Sequence, residues 1–136
     1  MKVSKVIRTQ HDVDSLRIIL ADPQFTIPRM FPTLKDLKVV NRSFHGKAKY
    51  LFFNHEVKGN VYVSSTEINY PFTLSHDSDI GVGKLTFYLR QGELMVTLEY
   101  EGWMEDLSRG LLKKWLDSFT EGLEEELRME RIRRKI

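Results

Sequence analysis

The chain has 136 residues, 41% of them hydrophobic and 29% charged, and 21 Lys and Arg against 19 Asp and Glu leave a net charge of +2. That is enough for one domain around a single core, and too apolar for disorder. No run of about 18 uncharged apolar residues marks a membrane span, and with no Cys, disulfides, thiolate metal sites and Cys nucleophiles are excluded together.

Met1–Arg8 lacks the apolar stretch of a secretory signal, so a cytoplasmic protein is expected. The seven side-chain amides (Gln10, Gln24, Asn41, Asn54, Asn60, Asn69 and Gln91) are few beside the many charges, a composition that suits a hot habitat.

Residues 2–10 alternate around Val3, Val6 and Ile7 and read as a first strand. Asp12 is the expected N-cap of a short helix carrying Val13, Leu16, Ile19 and Leu20, which Pro23 stops. The stretch from Pro23 to Pro32 holds three of the four prolines yet is rich in apolar residues. A broken helical turn pressed on the core, forming a lid, is its expected structure.

From Thr33 to Gly102 the hydrophobic period is two. A turn at Gln91-Gly92 sets Leu89 opposite Leu94, Phe87 opposite Val96, Leu85 opposite Leu98 and Gly83 opposite Tyr100, with Lys84 and Glu99 paired on the other face. A turn at Ser65-Thr66 sets Val63 against Ile68, Val61 against Tyr70 and Gly59 against Phe72. A turn at Asn54-His55 sets Phe52 against Val57, Tyr50 against Gly59 and Ala48 against Val61. With a strand over 36–43, the expected sheet has seven antiparallel strands.

The last segment, about 106 to 134, reads as one helix roughly 43 Å long. Leu111, Leu112, Trp115, Leu116, Phe119, Leu123 and Leu127 form its apolar arc. Residues 128–136, with Arg128, Arg131, Arg133, Arg134 and Lys135, are expected to project beyond the sheet. These cations complement the helix dipole first, and a transient contact with an anionic membrane surface second. Nucleic acid is not an expected partner, since the sheet face is committed to the helix.

This β-α-α-β6-α order gives an α+β fold in which one helix covers a curved sheet wider than itself. Ala48, Gly59, Gly83 and the helical Gly122 leave space on the inner side, either for a ligand or for close helix–sheet packing. The short clusters His11-Asp12-Val13-Asp14 and His76-Asp77-Ser78-Asp79 lack the spacing of a helical zinc site, and His55-Glu56 falls at a turn and reads as solvated. No phosphate-binding glycine loop or nucleophile motif is present, so no cofactor, metal or catalytic residue is expected.

The element order, with Leu20-Ala21-Asp22-Pro23 and Pro32 after the first strand, the hairpin from Leu85 to Tyr100, and the helix around Leu112, Trp115, Leu116, Phe119 and Leu123, resembles the helix-grip fold of START and Bet v 1-like proteins. It is most similar to a START-like family of thermoacidophilic archaea that is proposed to carry fatty acids. That resemblance implies a non-enzymatic carrier with one long-chain fatty acid, or a similar lipid, between sheet and helix.

The cavity lining is then expected from three sources. The lid supplies Phe25, Ile27, Arg29, Met30 and Phe31, and the terminal helix supplies Trp115, Leu116, Phe119, Gly122 and Leu123. The sheet supplies Tyr50, Phe52, Gly59, Val61, Tyr70, Phe72, Leu85, Phe87, Leu98 and Tyr100. Arg29, or the phenols of Tyr50, Tyr70 and Tyr100, would receive the carboxylate. Two alternatives stand beside the carrier: a polyketide cyclase or aromatase-like enzyme using an interior Tyr or His, and a ligand-free interaction module of the chaperone-activator kind.

Overall fold

The computed structural model describes residues 1–50 and 53–136, apart from the side chain of Tyr50. The expected positions of Phe52 and of the Tyr50 side chain therefore lie outside the described residues. The elements are β1 (Lys2–Arg8), α1 (Val13–Leu20), α2 (Pro23–Met30), β2 (Lys35–Val40), β3 (Ser43–Tyr50), β4 (Phe53–Asn60), β5 (Tyr62–Val63), β6 (Glu67–His76), β7 (Asp79–Arg90), β8 (Glu93–Gly102) and α3 (Glu105–Arg134). The curved antiparallel sheet runs β1-β8-β7-β6-β4-β3-β2, with β5 also on β6, and α3 covers its inner face.

Of the three expected registers one holds residue for residue and a second holds except at Val61. Leu89 faces Leu94 and Gly83 faces Tyr100 across a turn where Gly92 takes φ +84°. Val63 faces Ile68, and Gly59 faces Phe72. The strand between them is split, giving eight strands instead of seven, because the Val61 N–H leaves the β6 ladder and donates to the Arg42 carbonyl at 2.9 Å.

The β3–β4 register differs from expectation. Tyr50 pairs with Phe53, Ala48 with His55 and Phe44 with Gly59, so the reversal comes three residues earlier, shortening the first arm and lengthening the second. The shift keeps parity, so every inward side chain stays inward. His55 moves from the expected turn to the inner face of β4.

Pro23 does more than stop α1. Asp22 caps α2 by accepting from the Gln24 N–H at 3.0 Å, and Pro23 occupies the first helical turn, where no N–H is needed. Pro28 lies inside α2, so the lid is a complete eight-residue helix, with Phe25, Ile27 and Met30 buried beneath it.

The space expected beside the strand glycines is filled by rings. A Cβ at Gly83 would lie 2.3 Å from Phe72 Cζ, one at Gly59 2.5 Å from Phe44 Cζ, and one at Gly81 1.9 Å from the Tyr100 hydroxyl. Each glycine lets an aromatic ring lie flat across the backbone. Gly122 has neither expected role: it is exposed on α3, with nothing within 4 Å of a Cβ built there.

The basic end of α3 does not project freely. Arg134 donates to Asp22 Oδ2 at 2.6 Å, and Arg131 pairs with Asp12 Oδ1 at 3.3 Å, so the acids that cap α1 and α2 also hold the last turns of α3. Glu130, only 7% exposed, accepts from Arg133 and Arg134. Hydrogen bonds from Arg133 first, and from Arg134, outweigh burial and hold its carboxyl down to about 2.

Gly122→Ala is expected to raise stability by about 0.5–1 kcal/mol in chemical denaturation, as an exposed helical glycine replaced by alanine. Gly83→Ala is expected to lower the melting temperature by displacing Phe72. For Glu130 the folded pKa lies below the ordinary 4.5, so its stabilisation is complete above pH 4.5 and lost as pH falls towards 2. The gap in melting temperature between wild type and Glu130→Gln should therefore narrow over that interval. An unchanged gap would show that the ion pairs contribute nothing.

Candidate functional site

The interior is mostly closed by aromatic packing. Phe31, at the end of α2, sits edge-on to Phe72 of the sheet (5.2 Å between centroids) and to Trp115 of α3 (6.3 Å). Phe44, Tyr70, Phe87 and Phe119 continue as a line of ring contacts at 6.0 to 6.3 Å from β3 across to α3. Aromatic pairs at these spacings are favourable beyond their area alone. Val61, Leu85, Leu98, Leu116 and Leu123 are core residues among them.

The expected polar receptors for a carboxylate are committed elsewhere. The Tyr70 hydroxyl donates to the Leu20 carbonyl at 2.5 Å, and burial pushes its pKa up. The Tyr100 hydroxyl donates to the Trp103 carbonyl, and burial, then the charge of Glu105, push it up to about 12. Both phenols stay protonated with their one donor used. Arg29 faces outward: its Nε donates to Glu126 at 3.2 Å, its Nη1 to the Phe25 carbonyl at 3.0 Å, and its guanidinium lies 4.0 Å from the Phe25 ring centre. It fastens α2 to α3 and does not face a cavity.

What remains open lies at one end of the grip. An apolar crevice runs between β3, β4 and β6 on one side and the first half of α3 on the other, with about 30 Å³ of free volume, room for one water. Phe31, Val57, Leu74, Trp103, Leu111, Leu112 and Trp115 wall it, and Thr33, Ala48, His55 and Ser108 complete it. Of the expected lining, Phe31 and Trp115 are brought here. Among the described residues, the inward rings expected to line a hollow of ligand size pack against one another instead.

The crevice shares part of its wall with a second space. Thr33, Ala48 and His55 also border an open groove of about 580 Å³, whose other residues include Lys35, Lys47, Lys49, Asp36, Glu56 and Asp77. The β4–β6 ladder ends at Glu56–Ser75. Beyond it a side chain takes over, with His76 Nδ1 2.7 Å from the Asn54 carbonyl.

His55 and Trp103, which sequence reasoning did not single out as site residues, stand at this junction. Trp103 stacks on His76 (5.1 Å, 14°) and meets the rings of His55 at 5.4 Å and Phe53 at 6.2 Å. His55 is half-buried, and its Nδ1 is enclosed with no hydrogen-bond partner. Burial first, and the neighbouring His76 second, hold its pKa below the ordinary 6.5, against a smaller opposing effect of the Phe53 backbone. The signal that could have found it is parity with Val57 and Gly59. Among the described residues no three His, Asp or Glu side chains converge as a metal site, and no helix is long and apolar enough to cross a membrane.

One family model matches residues 1–136. A hypothetical protein from Sulfolobus tokodaii is 33% identical, with 98% of this chain and 99% of that one covered at a TM-score of 0.84. The chain belongs to the family of that protein, with a START/Bet v 1-like fold. A conserved protein from Geobacillus kaustophilus shares this helix-grip fold at 11% identity and TM-score 0.74, covering 95% of this chain and 96% of its own. An aromatase/cyclase from Streptomyces does so at 12% identity and TM-score 0.64, covering 100% and 96%. No curated protein matches.

In a pH titration followed by NMR, the His55 imidazole is expected to have a midpoint below 6.5, moving up, but not past 6.5, in His76→Gln. Neutral His55 contributes its full stabilisation above pH 6.5, and the contribution declines as pH falls below that value, where the unfolded chain takes the proton first. A wild-type midpoint at or above 6.5 would show that burial and His76 do not govern the ring.

Proposed function

We propose that the protein is a non-enzymatic carrier of a long-chain fatty acid, taken up at the crevice between the sheet and the first half of α3. The observation that supports this reading is the form of that end: an apolar slot beside a polar open groove, with Thr33, Ala48 and His55 common to the walls of both. Such a pairing suits a molecule with an oily tail and one polar end. A saturated chain needs no directional partners, so the aliphatic and aromatic walls suffice. At about 0.8 kcal/mol per buried methylene, fourteen methylenes supply roughly 11 kcal/mol gross. Immobilisation removes several kcal/mol, leaving about micromolar affinity or better.

The closed slot must widen for the chain to enter. Leu111 and Trp115 are only half-buried, whereas Leu116, Leu123 and Leu127 further along α3 are fully covered, so the residues that must yield are those packed least. Phe31 moves with them, since its ring touches Trp115. The filled interior favours a second reading, the ligand-free interaction module, in which the crevice is merely the frayed end of the core.

Titration with palmitate, followed by the fluorescence of Trp103 and Trp115, separates the two. The carrier predicts a saturable change with a dissociation constant near micromolar, weakened at least tenfold by Ala48→Leu, which narrows the slot beside His55. It also predicts a lipid retained in native mass spectrometry of protein purified without detergent. A non-saturable response together with a lipid-free mass would overturn the carrier in favour of the interaction module.

A further inference from the structure

Resting on the reading of the crevice as the ligand site, the geometry points to His55 as the residue that anchors the carboxyl end of the acyl chain. The crevice wall is apolar except for Thr33, His55 and Ser108. Of these, His55 holds an enclosed nitrogen, Nδ1, with no hydrogen-bond partner among the described residues. A buried polar atom without a hydrogen bond costs free energy and calls for an explanation. A ligand group that supplies the missing bond is one, and the position of the atom fits it.

His55 lies on the wall common to the slot and the groove, where the polar end of a chain lying in the slot would rest. The ring is held from one side by Trp103, at 5.4 Å between centroids. Its direction is therefore fixed before a ligand arrives, and little freedom is lost on binding.

The groove itself cannot select a charge. Its three lysines (Lys35, Lys47 and Lys49) are matched by three acids (Asp36, Glu56 and Asp77), so recognition of the head falls to a directional contact. An imidazole suits a carboxyl group in either protonation state. Nδ1 accepts from a carboxylic acid, or, with the proton on Nδ1, donates to a carboxylate. An ester can only accept. The hydroxyls of Thr33 and Ser108 are the other polar groups that line the crevice.

The test compares palmitic acid with methyl palmitate by tryptophan fluorescence, in wild type, His55→Phe and His55→Gln. His55→Phe keeps an aromatic ring against Trp103 and removes the nitrogen; His55→Gln keeps a hydrogen-bonding group. The expected result is a preference for the acid of about tenfold or more in wild type, none in His55→Phe with ester affinity retained, and partial recovery in His55→Gln. In wild type alone, the His55 ring nitrogen signals should shift on adding the acid and not the ester.

Equal affinity for acid and ester in wild type, or a preference that survives in His55→Phe, overturns the anchor while leaving the carrier standing. Failure of both ligands to bind saturably overturns the carrier and the anchor with it. If His55→Phe does not fold, the nitrogen shifts in wild type decide.

Discussion

A single helix cannot cover the concave face of an eight-stranded sheet, and the protein meets that constraint with aromatic side chains. An α-helix with its side chains is about 10–12 Å across, whereas neighbouring strands lie about 4.8 Å apart, so α3 screens only two or three of them. The rest of the face is covered by Phe44, Phe72 and Tyr100, which lie over strand glycines, and by α1 and α2, which bring Leu16, Ile19, Leu20 and Ile27 down onto the sheet. Where that cover runs out, beside Trp103 and Trp115, the core ends in the crevice. The site is thus the place where the means of closing the fold are exhausted, which explains both its apolar walls and its small volume.

The parts of the fold legible in the sequence were those where one local rule dominated. The β7–β8 hairpin could be read to the residue because Gln91-Gly92 marks the turn and the flanking residues alternate without interruption. The β3–β4 hairpin could not, because Tyr50, Leu51, Phe52 and Phe53 form an apolar run that conceals where the chain reverses, and Asn54 offered a false turn signal. That one error of three residues hid His55, which then looked like part of a solvated loop.

The candidate site was harder to read than the fold, for a related reason. Composition can reveal that inward residues are aromatic and small, but not whether the rings line a space or occupy it. Gly83 and Phe72 show the difference: the absent side chain of one is the seat of the other. Long-range polar contacts were equally invisible. Arg29 was expected to receive the carboxylate, yet Glu126, 97 positions later, draws it to the outside. Nothing in the spacing of either residue announces that pairing.

The double use of Asp12 and Asp22, as helix caps and as partners of Arg131 and Arg134, has a mechanical consequence. It makes the C-terminal end of α3 a pivot, while the opposite end, beside the crevice, is held by Glu105 to the Met1 ammonium at 3.0 Å. Over 30 residues the arm is about 45 Å long, so a tilt of roughly 5° at the pivot carries the tip through about 4 Å. A displacement of that size approaches the width of a hydrocarbon chain, and it must release Glu105 from the Met1 ammonium.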